Sequence, residues 1–380
     1  NKIEVRRPVV QLVASPEGGG NWQSLTINTG QMPLIPQGVS LQSVTITDGA
    51  LVIGTTGRPE IVRLDAIDGE LMAETLNGPY KFSGTLTADG TKRDVRVATS
   101  AAEPGQDLRF KANVRSMASG NNYTVSGRAI DIQGRAKVEG ELTASINVTA
   151  LASAAVAPEN IPKSEVTAKI AGDATGVEFK DIAVTLAQAA TPQLVSGSAK
   201  VSWPERTKIE LSLASRWLDF DKLLGDGKVV PIDVVRNLFD TLASNLPEQA
   251  DTSTQVIVDQ VTLGGEAVSD VRFHASRAGG ALELNGVRAN LPGGARVEFD
   301  GEVLGADAGR VFKGAVALSG QSLQHFVTWG MGKDGPINAR ADGPFAFEGA
   351  LTLSRSEIAV REATAEIAGM PLSGEFSIGL

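Results

Sequence analysis

Hydrophobic and polar residues alternate along most of the chain. In "DLRFKANVR" Leu108, Phe110, Ala112 and Val114 fall on one side, and Arg109, Lys111, Asn113 and Arg115 on the other. In "KVEGELTASINV" Val138, Gly140, Leu142, Ala144, Ile146 and Val148 oppose Glu139, Glu141, Thr143, Ser145 and Asn147. A period of two is the signature of a half-buried strand, because successive side chains point to opposite faces of a sheet. The same pattern runs through residues 80–88, 209–213, 271–275, 297–303 and 345–353. The last residues, "EIAVREATAEIAGMPLSGEFSIGL", read as a hairpin turning at Gly-Met-Pro. Together these stretches predict about 20 strands, mostly antiparallel, since the connections are too short for crossovers. The expected fold is mainly β: long curved antiparallel sheet built from repeated hairpins, with one medium and a few short helices.

Helical spacing is scarce. "PIDVVRNLFDTLASNL" places Val234, Leu238 and Leu242 on one face, starts with Pro231 and is stopped by Pro247, predicting a helix over 231–247. Two shorter amphipathic pieces, "RWLDFDKLLG" from Arg216 and "QSLQHFVTWG" from Gln321, each follow a strand and end in Gly. A strand-turn-strand unit recurs around Gly197, Gly301 and Gly374 at unequal spacing, which is not a fixed-period solenoid. The chain divides into an N-terminal β-rich segment, 1–150, and a Pro- and Ala-rich connector, 151–165. A second β segment, 166–230, the helix at 231–247 and a C-terminal β-rich segment, 248–380, follow.

Composition narrows the chemistry. Among 380 residues there are 42 Gly, two His and no Cys, with 42% hydrophobic but only 5% aromatic residues. Aliphatic residues therefore carry the apolar content, and thiol catalysis, disulfides and zinc-thiolate sites are excluded. A cysteine-free chain suits an oxidising compartment such as a periplasm. The net charge of -9 argues against nucleic acid as a partner, which requires a concentrated basic face. No run approaches the roughly 18 apolar residues of a membrane-spanning helix. The chain opens at Asn1 without a signal-peptide core and ends inside a strand pattern, which reads as a piece of a longer protein.

No catalytic constellation stands out. His274 and His325 are isolated, giving no metal-ligand spacing. Asp219, Asp221 and Asp226 miss the alternation of a calcium loop and read as a solvated helix edge. Gly-rich turns join strand to strand, whereas a phosphate-cradling loop opens a helix. Neither a nucleophile elbow nor a Walker lysine is present, and nothing selects a carboxylate pair among 44 acids. The N-x-T sequons at Asn122 and Asn147 carry no meaning in a bacterial protein. The expectation is a non-enzyme without metal or cofactor.

Three segments together resemble the AsmA-like family of bacterial envelope proteins, relatives of TamB and YhdP. "IEVRRPVVQLVASPEGGGNWQSL" is similar to that family's strand ending in Arg-Pro, followed by a Gly-rich turn and Asn-Trp. "VSLQSVTITDGALVIG" resembles its next hairpin, in which a strand meets Asp-Gly and turns straight back. "VIVDQVTLGGEAVSDVRFHASRAGGALELNGVRANLPGGARVEFDGEVL" resembles its C-terminal block of strands around "LPGG". The resemblance implies a periplasmic protein, held in the inner membrane by an N-terminal helix outside this sequence, whose long β-sheets form a lipid-lined groove or bridge.

A strand pattern with one apolar face needs a cover, and the few helices cannot supply it. Inward positions repeatedly carry small residues, Gly84, Ala112, Gly140, Ala144, Gly301, Gly349 and Gly374, which leave room between sheets for acyl chains. The lipid-groove candidates are Phe82, Leu108, Phe110, Val138, Leu142, Ile146, Leu211, Phe299, Val303, Phe347, Leu351 and Phe376. Arg6 and Arg7 are headgroup candidates, since guanidinium groups match phosphate geometry; the plainer reading is a solvent-facing strand edge capped by Pro8. The expected partner is phospholipid, supporting outer-membrane lipid homeostasis, with an envelope protein as a second partner. The competing expectation is a closed β-sandwich that binds no lipid and serves as a scaffold or assembly factor in envelope biogenesis.

Overall fold

The computed structural model describes residues 2–22, 41–75, 78–103, 105–132, 134–147, 163–186, 192–203, 205–223, 229–235, 237, 250–278, 281–305, 311–332, 342–354 and 356–379. The chain is mainly β, with 21 strands of mixed sheet. It divides into two compact units. Unit 1 comprises Asn1–Asn147, Lys163–Ala183 and Ser198–Thr207; unit 2 comprises Val148–Pro162, Val184–Gly197 and Lys208–Leu380.

Unit 1 contains β1 (Lys2–Arg6), β2 (Val9–Ala14), β3 (Leu41–Thr55), β4 (Arg58–Ala73) and β5 (Tyr80–Ala88). It continues with β6 (Thr91–Thr99), β7 (Leu108–Ser116), β8 (Asn122–Ile130), β9 (Lys137–Ile146) and β10 (Ser164–Asp173). From β3 to β10 each strand pairs antiparallel with the next. Strands β1 and β2 both lie parallel to β3, side by side along its length. The parallel pairing was not expected from hairpin logic; the 26 residues between Ala14 and Leu41 are long enough for a crossover. The break between β1 and β2 sits at Arg7, whose φ is 51° and whose N–H donates to the Thr47 carbonyl (2.8 Å).

The Asp-Gly at 48–49 is not a hairpin turn. β3 runs straight through it for 15 residues and turns only after Thr55. Asp48 has φ 54°, and the register shifts between Ile46 and Gly49, so the left-handed residue makes a bulge inside the strand. Its N–H, excluded from the ladder, donates to Asp68 Oδ1 on β4 (2.9 Å). Asp270 and Glu362 repeat the device with positive φ beside register shifts, and Gly286 donates its N–H to Asp300 Oδ1 (2.6 Å). Asp tolerates the left-handed region better than most residues, so Asp-Gly announces a bulge as readily as a turn.

Bulges bend a sheet, and unit 1 curls until its first strands reach its later turns. The loop after β2 donates the Gly19 N–H to the Gly134 carbonyl and Trp22 Nε1 to the Ile132 carbonyl (2.9 Å). Arg58, in the β3–β4 turn, donates from Nη1 to Thr207 Oγ1 (2.8 Å).

Strands β11 (Gly176–Leu186) and β12 (Gln193–Ser202) contribute residues to both units. Unit 2 holds β13 (Lys208–Asp219), β14 (Asp251–Leu263), β15 (Glu266–Arg277), β16 (Leu282–Leu291), β17 (Ala295–Leu304) and β18 (Val311–Gly320). It ends with β19 (Phe345–Leu353), β20 (Glu357–Ile367) and β21 (Met370–Gly379). From β14 to β21 every pairing is antiparallel and sequential, while β13 and β14 are parallel. The final turn is Ala368-Gly369, both left-handed, one residue earlier than the expected Gly-Met-Pro; Met370 and Pro371 already pair with Ile367 and Glu366.

Helix α1 is only Phe220–Leu223. The sequence expectation of a helix from Arg216 fails because Trp217 and Leu218 are held in the parallel ladder by Gln260 and Val261. Residues 231–235, α2, are helical as expected; most of the predicted helix beyond them, like residues 151–162 of the expected connector and Asp226, lies outside the described residues. Helix α3, Leu323–Met331, matches its predicted position, capped by Ser322 Oγ accepting from the His325 N–H (3.2 Å).

Candidate functional site

The pairing registers align apolar side chains into rows that cross unit 1. One runs Ile3–Val44–Leu71–Phe82–Val97–Ala112–Val125–Leu142–Ala168 over nine strands. At about 4.8 Å between strands it extends roughly 38 Å along the curl. The neighbouring row contains Val95, Val114, Tyr123, Ala144 and Val166, and two further rows contain Phe110 with Ile170 and Leu108 with Val138. Phe82, Leu108, Phe110, Val138, Leu142 and Ile146 therefore share one face, which spacing alone could not establish across separate strands.

This face is half-buried rather than dry. Leu86, Ala88 and Val95 form a small core, but Phe82, Leu108, Phe110, Val138, Leu142 and Ile146 all remain partly exposed. Unit 1 carries no α-helix among its described residues to cover them. The opposite face is charged, with Arg128 bridging Glu139 (2.9 Å) and Asp107 (3.2 Å), and Lys169 bridging Asp181 (2.7 Å). The hydrogen bond to Asp181 raises the Lys169 pKa, and Lys169 lowers that of Asp181. These groups are solvent-exposed, so the pairs fix solubility and face identity more than stability.

Unit 2 has the same alternation and a different interior. Leu211, Leu284, Gly301, Gly314, Leu351 and Val360 lie in one row that ends at Phe376 on β21; the described backbone places Phe376, while its side chain lies outside the described residues. Ala275 and Leu284 are 0% exposed and Leu282 1%, with Phe299, Val303, Phe312 and Leu353 buried beside them. Leu351 is partly buried against this cluster, and Leu211 and Phe347 are also partly buried. Phe299 and Phe312 stack at 4.3 Å between centroids. A Cβ on Gly314 would stand 2.7 Å from the Phe299 ring, so this glycine pair is roofed by an aromatic ring instead of opening a channel. Phe82 lies over Gly69 and Gly84 in unit 1 in the same way, 2.9 Å from either hypothetical Cβ. Small inward residues thus serve two purposes, and the sequence does not separate them.

Helices close the other part of the unit 2 face. Leu223 of α1 and Val234 of α2 bury against Leu218, Val258, Val261, Leu263 and Val268, with Trp329 of α3 alongside. The β14–β15 turn gathers them: Asp221 accepts from the Gly264 and Gly265 N–H groups (2.7 Å each), and Trp329 Nε1 donates to the Leu263 carbonyl (2.9 Å). Asp219 is buried and accepts from the Lys222 N–H (3.1 Å). These acids hold structure, which their sequence pattern gave no means of reading.

No family model, curated protein or solved structure matches the chain. The functional argument therefore rests on its own residues. His274 contacts Ser253 Oγ (2.9 Å) and His325 contacts Glu266 (2.9 Å); among the described residues no cluster of His, Asp and Glu could hold a metal ion. Among them, too, no helix is long and apolar enough to cross a membrane. Arg6 pairs with Glu4 (2.9 Å) at 75% side-chain exposure and lies opposite Ile3 and Val5, on the face away from the apolar rows. Arg7 occupies the strand break and is exposed.

Proposed function

We propose that the chain is a periplasmic, AsmA-like protein that binds and shields phospholipid, with acyl chains lying along the apolar face of unit 1. The observation that carries this reading is the nine-strand row centred on Phe82, Ala112 and Leu142, aliphatic, continuous in register and half-exposed. Soluble proteins rarely leave such a surface uncovered unless it binds something. Each buried methylene contributes about 0.8 kcal/mol, so a smooth aliphatic wall suffices to hold a tail and reads its length and volume. Transport along the wall needs no catalytic group, and the chain offers none with a recognisable constellation.

In unit 2 the side chains fill their own interior around Leu282 and Leu284, which supports the scaffold reading for that part of the molecule. Native mass spectrometry of the purified protein, with extraction of bound material, tests the lipid reading. We expect phospholipid in reproducible ratio with the wild type and its loss in Leu142→Asp, with β-rich circular dichroism retained. Unaltered lipid content in that folded variant, or a clean apo mass for the wild type, would refute it.

A further inference from the structure

At one end of the apolar face of unit 1 lies a recess of about 540 Å³. Its walls include Val138, Ile170, Val177 and Trp203, and residues 15–19 of the loop after β2 enclose it. Val138 and Ile170 belong to the apolar rows already described, so the recess is continuous with that face. The volume lies within the range of small-ligand sites.

Two cations line the same recess. Arg135 donates its Nε–H to the Glu17 carbonyl (3.2 Å), which fixes the guanidinium at the loop while its Nη nitrogens contact no protein acceptor among the described residues. Lys137, the first residue of β9, has no ion-pair partner among them either. The one acid in the lining is Asp173. Burial works to raise its pKa, but the Thr175 hydroxyl (2.6 Å) and N–H (2.8 Å) outweigh this and hold it below its ordinary value. Its carboxylate is thus already satisfied from within the β10–β11 turn, while the cations keep donors to offer.

An apolar wall ending at a pair of unsatisfied cations is complementary to an amphiphile with an anionic head. Resting on the lipid reading above, we propose that this recess holds the phosphate ester of a phospholipid, with Arg135 and Lys137 as its donors and the acyl chains leaving over Val138 and Ile170. The guanidinium presents a planar fork to phosphate oxygens and the ammonium adds a point charge. The site differs from Arg6 and Arg7, which lie on the strand edge away from the apolar rows.

The test compares retention of phosphatidic acid and of diacylglycerol with identical chains by native mass spectrometry, and titrates inorganic phosphate by calorimetry. The proteins are the wild type, Arg135→Glu/Lys137→Glu, and Arg109→Glu/Lys111→Glu as a charge-matched control. The expected result is about tenfold preference for phosphatidic acid in the wild type and control, lost in the Arg135/Lys137 variant, with diacylglycerol retention unchanged. Inorganic phosphate alone should not bind measurably. Equal retention of both lipids, or a preference unmoved by the Arg135/Lys137 reversal, overturns the headgroup site and leaves the lipid reading standing. Phosphate binding as tightly as phosphatidic acid makes the recess a free-anion site and overturns the proposal. Retention of neither lipid overturns both.

Discussion

Leu142 and Leu284 have the same side chain and the same alternating context, yet they occupy different environments. Leu284 is fully buried in unit 2, and Leu142 is half-exposed in unit 1. Truncating a fully buried leucine removes its transfer energy and leaves a cavity, so Leu284→Ala should cost about 2–5 kcal/mol. Leu142→Ala should cost less than about 1.5 kcal/mol, because its environment already admits solvent. Urea unfolding followed by circular dichroism compares the two; equal losses would mean that both faces are packed alike. Alternation revealed that each leucine faces inward, since that follows from backbone geometry. How much volume lies in front of it depends on residues from other strands, such as Phe299 and Phe312, whose proximity no local pattern encodes.

Elements are secured where the ladder cannot do it. Strand β2 carries Val9 at 70% and Val10 at 46% exposure, an apolar edge of the kind that recruits further strands. Its second half is clasped by Asn21, which donates from Nδ2 to the Gln11 carbonyl (2.7 Å) and accepts from the Val13 N–H (2.9 Å). The amide thereby imitates the backbone of a neighbouring strand. Asn21→Ala should release the loop and increase concentration-dependent self-association in light scattering; an unchanged monomer would show that the clasp is dispensable. Helix α3 is held at its start by Asp342, whose pKa is lowered by the Ser322 hydroxyl and then by the Gly343 and Gln324 N–H groups. A depressed folded-state pKa contributes stability that is complete above the ordinary carboxylate range, about pH 5, and lost as pH falls through the folded value. Amide exchange or NMR across Leu323–Met331 should therefore show loosening on acidification, and Asp342→Asn should remove that acid limb. The position of α3 was legible because its amphipathic run ends in glycine. The shortness of α1 was not, because a parallel partner 43 residues away in sequence keeps Trp217 extended against Gln260.

Across the molecule, the two units use one pattern for two outcomes: unit 2 closes over its apolar face with stacked rings and helices, and unit 1 leaves rows of aliphatic side chains half-covered. Hydrogen exchange should rank them, with β16 and β17 the most protected strands, since local stability follows buried apolar contact. Added phospholipid should raise protection in β7, β8 and β9 and leave β16 and β17 unchanged; a uniform increase would place the lipid elsewhere. Sequence by itself determined the strands, the face each residue takes, and the left-handed turns at Asp89-Gly90, Gly264-Gly265 and Ala368-Gly369. These follow from steric limits on single residues and from the two-residue repeat of extended backbone. Tertiary structure alone decided the parallel placement of β1, β2 and β13, the use of Asp48 as a bulge, and the curl that carries Trp22 to Ile132. It also decided which apolar face is filled, because filling depends on contacts between residues far apart in the chain, and an alternating pattern is identical whether its inner side meets a phenyl ring, a helix or an open recess.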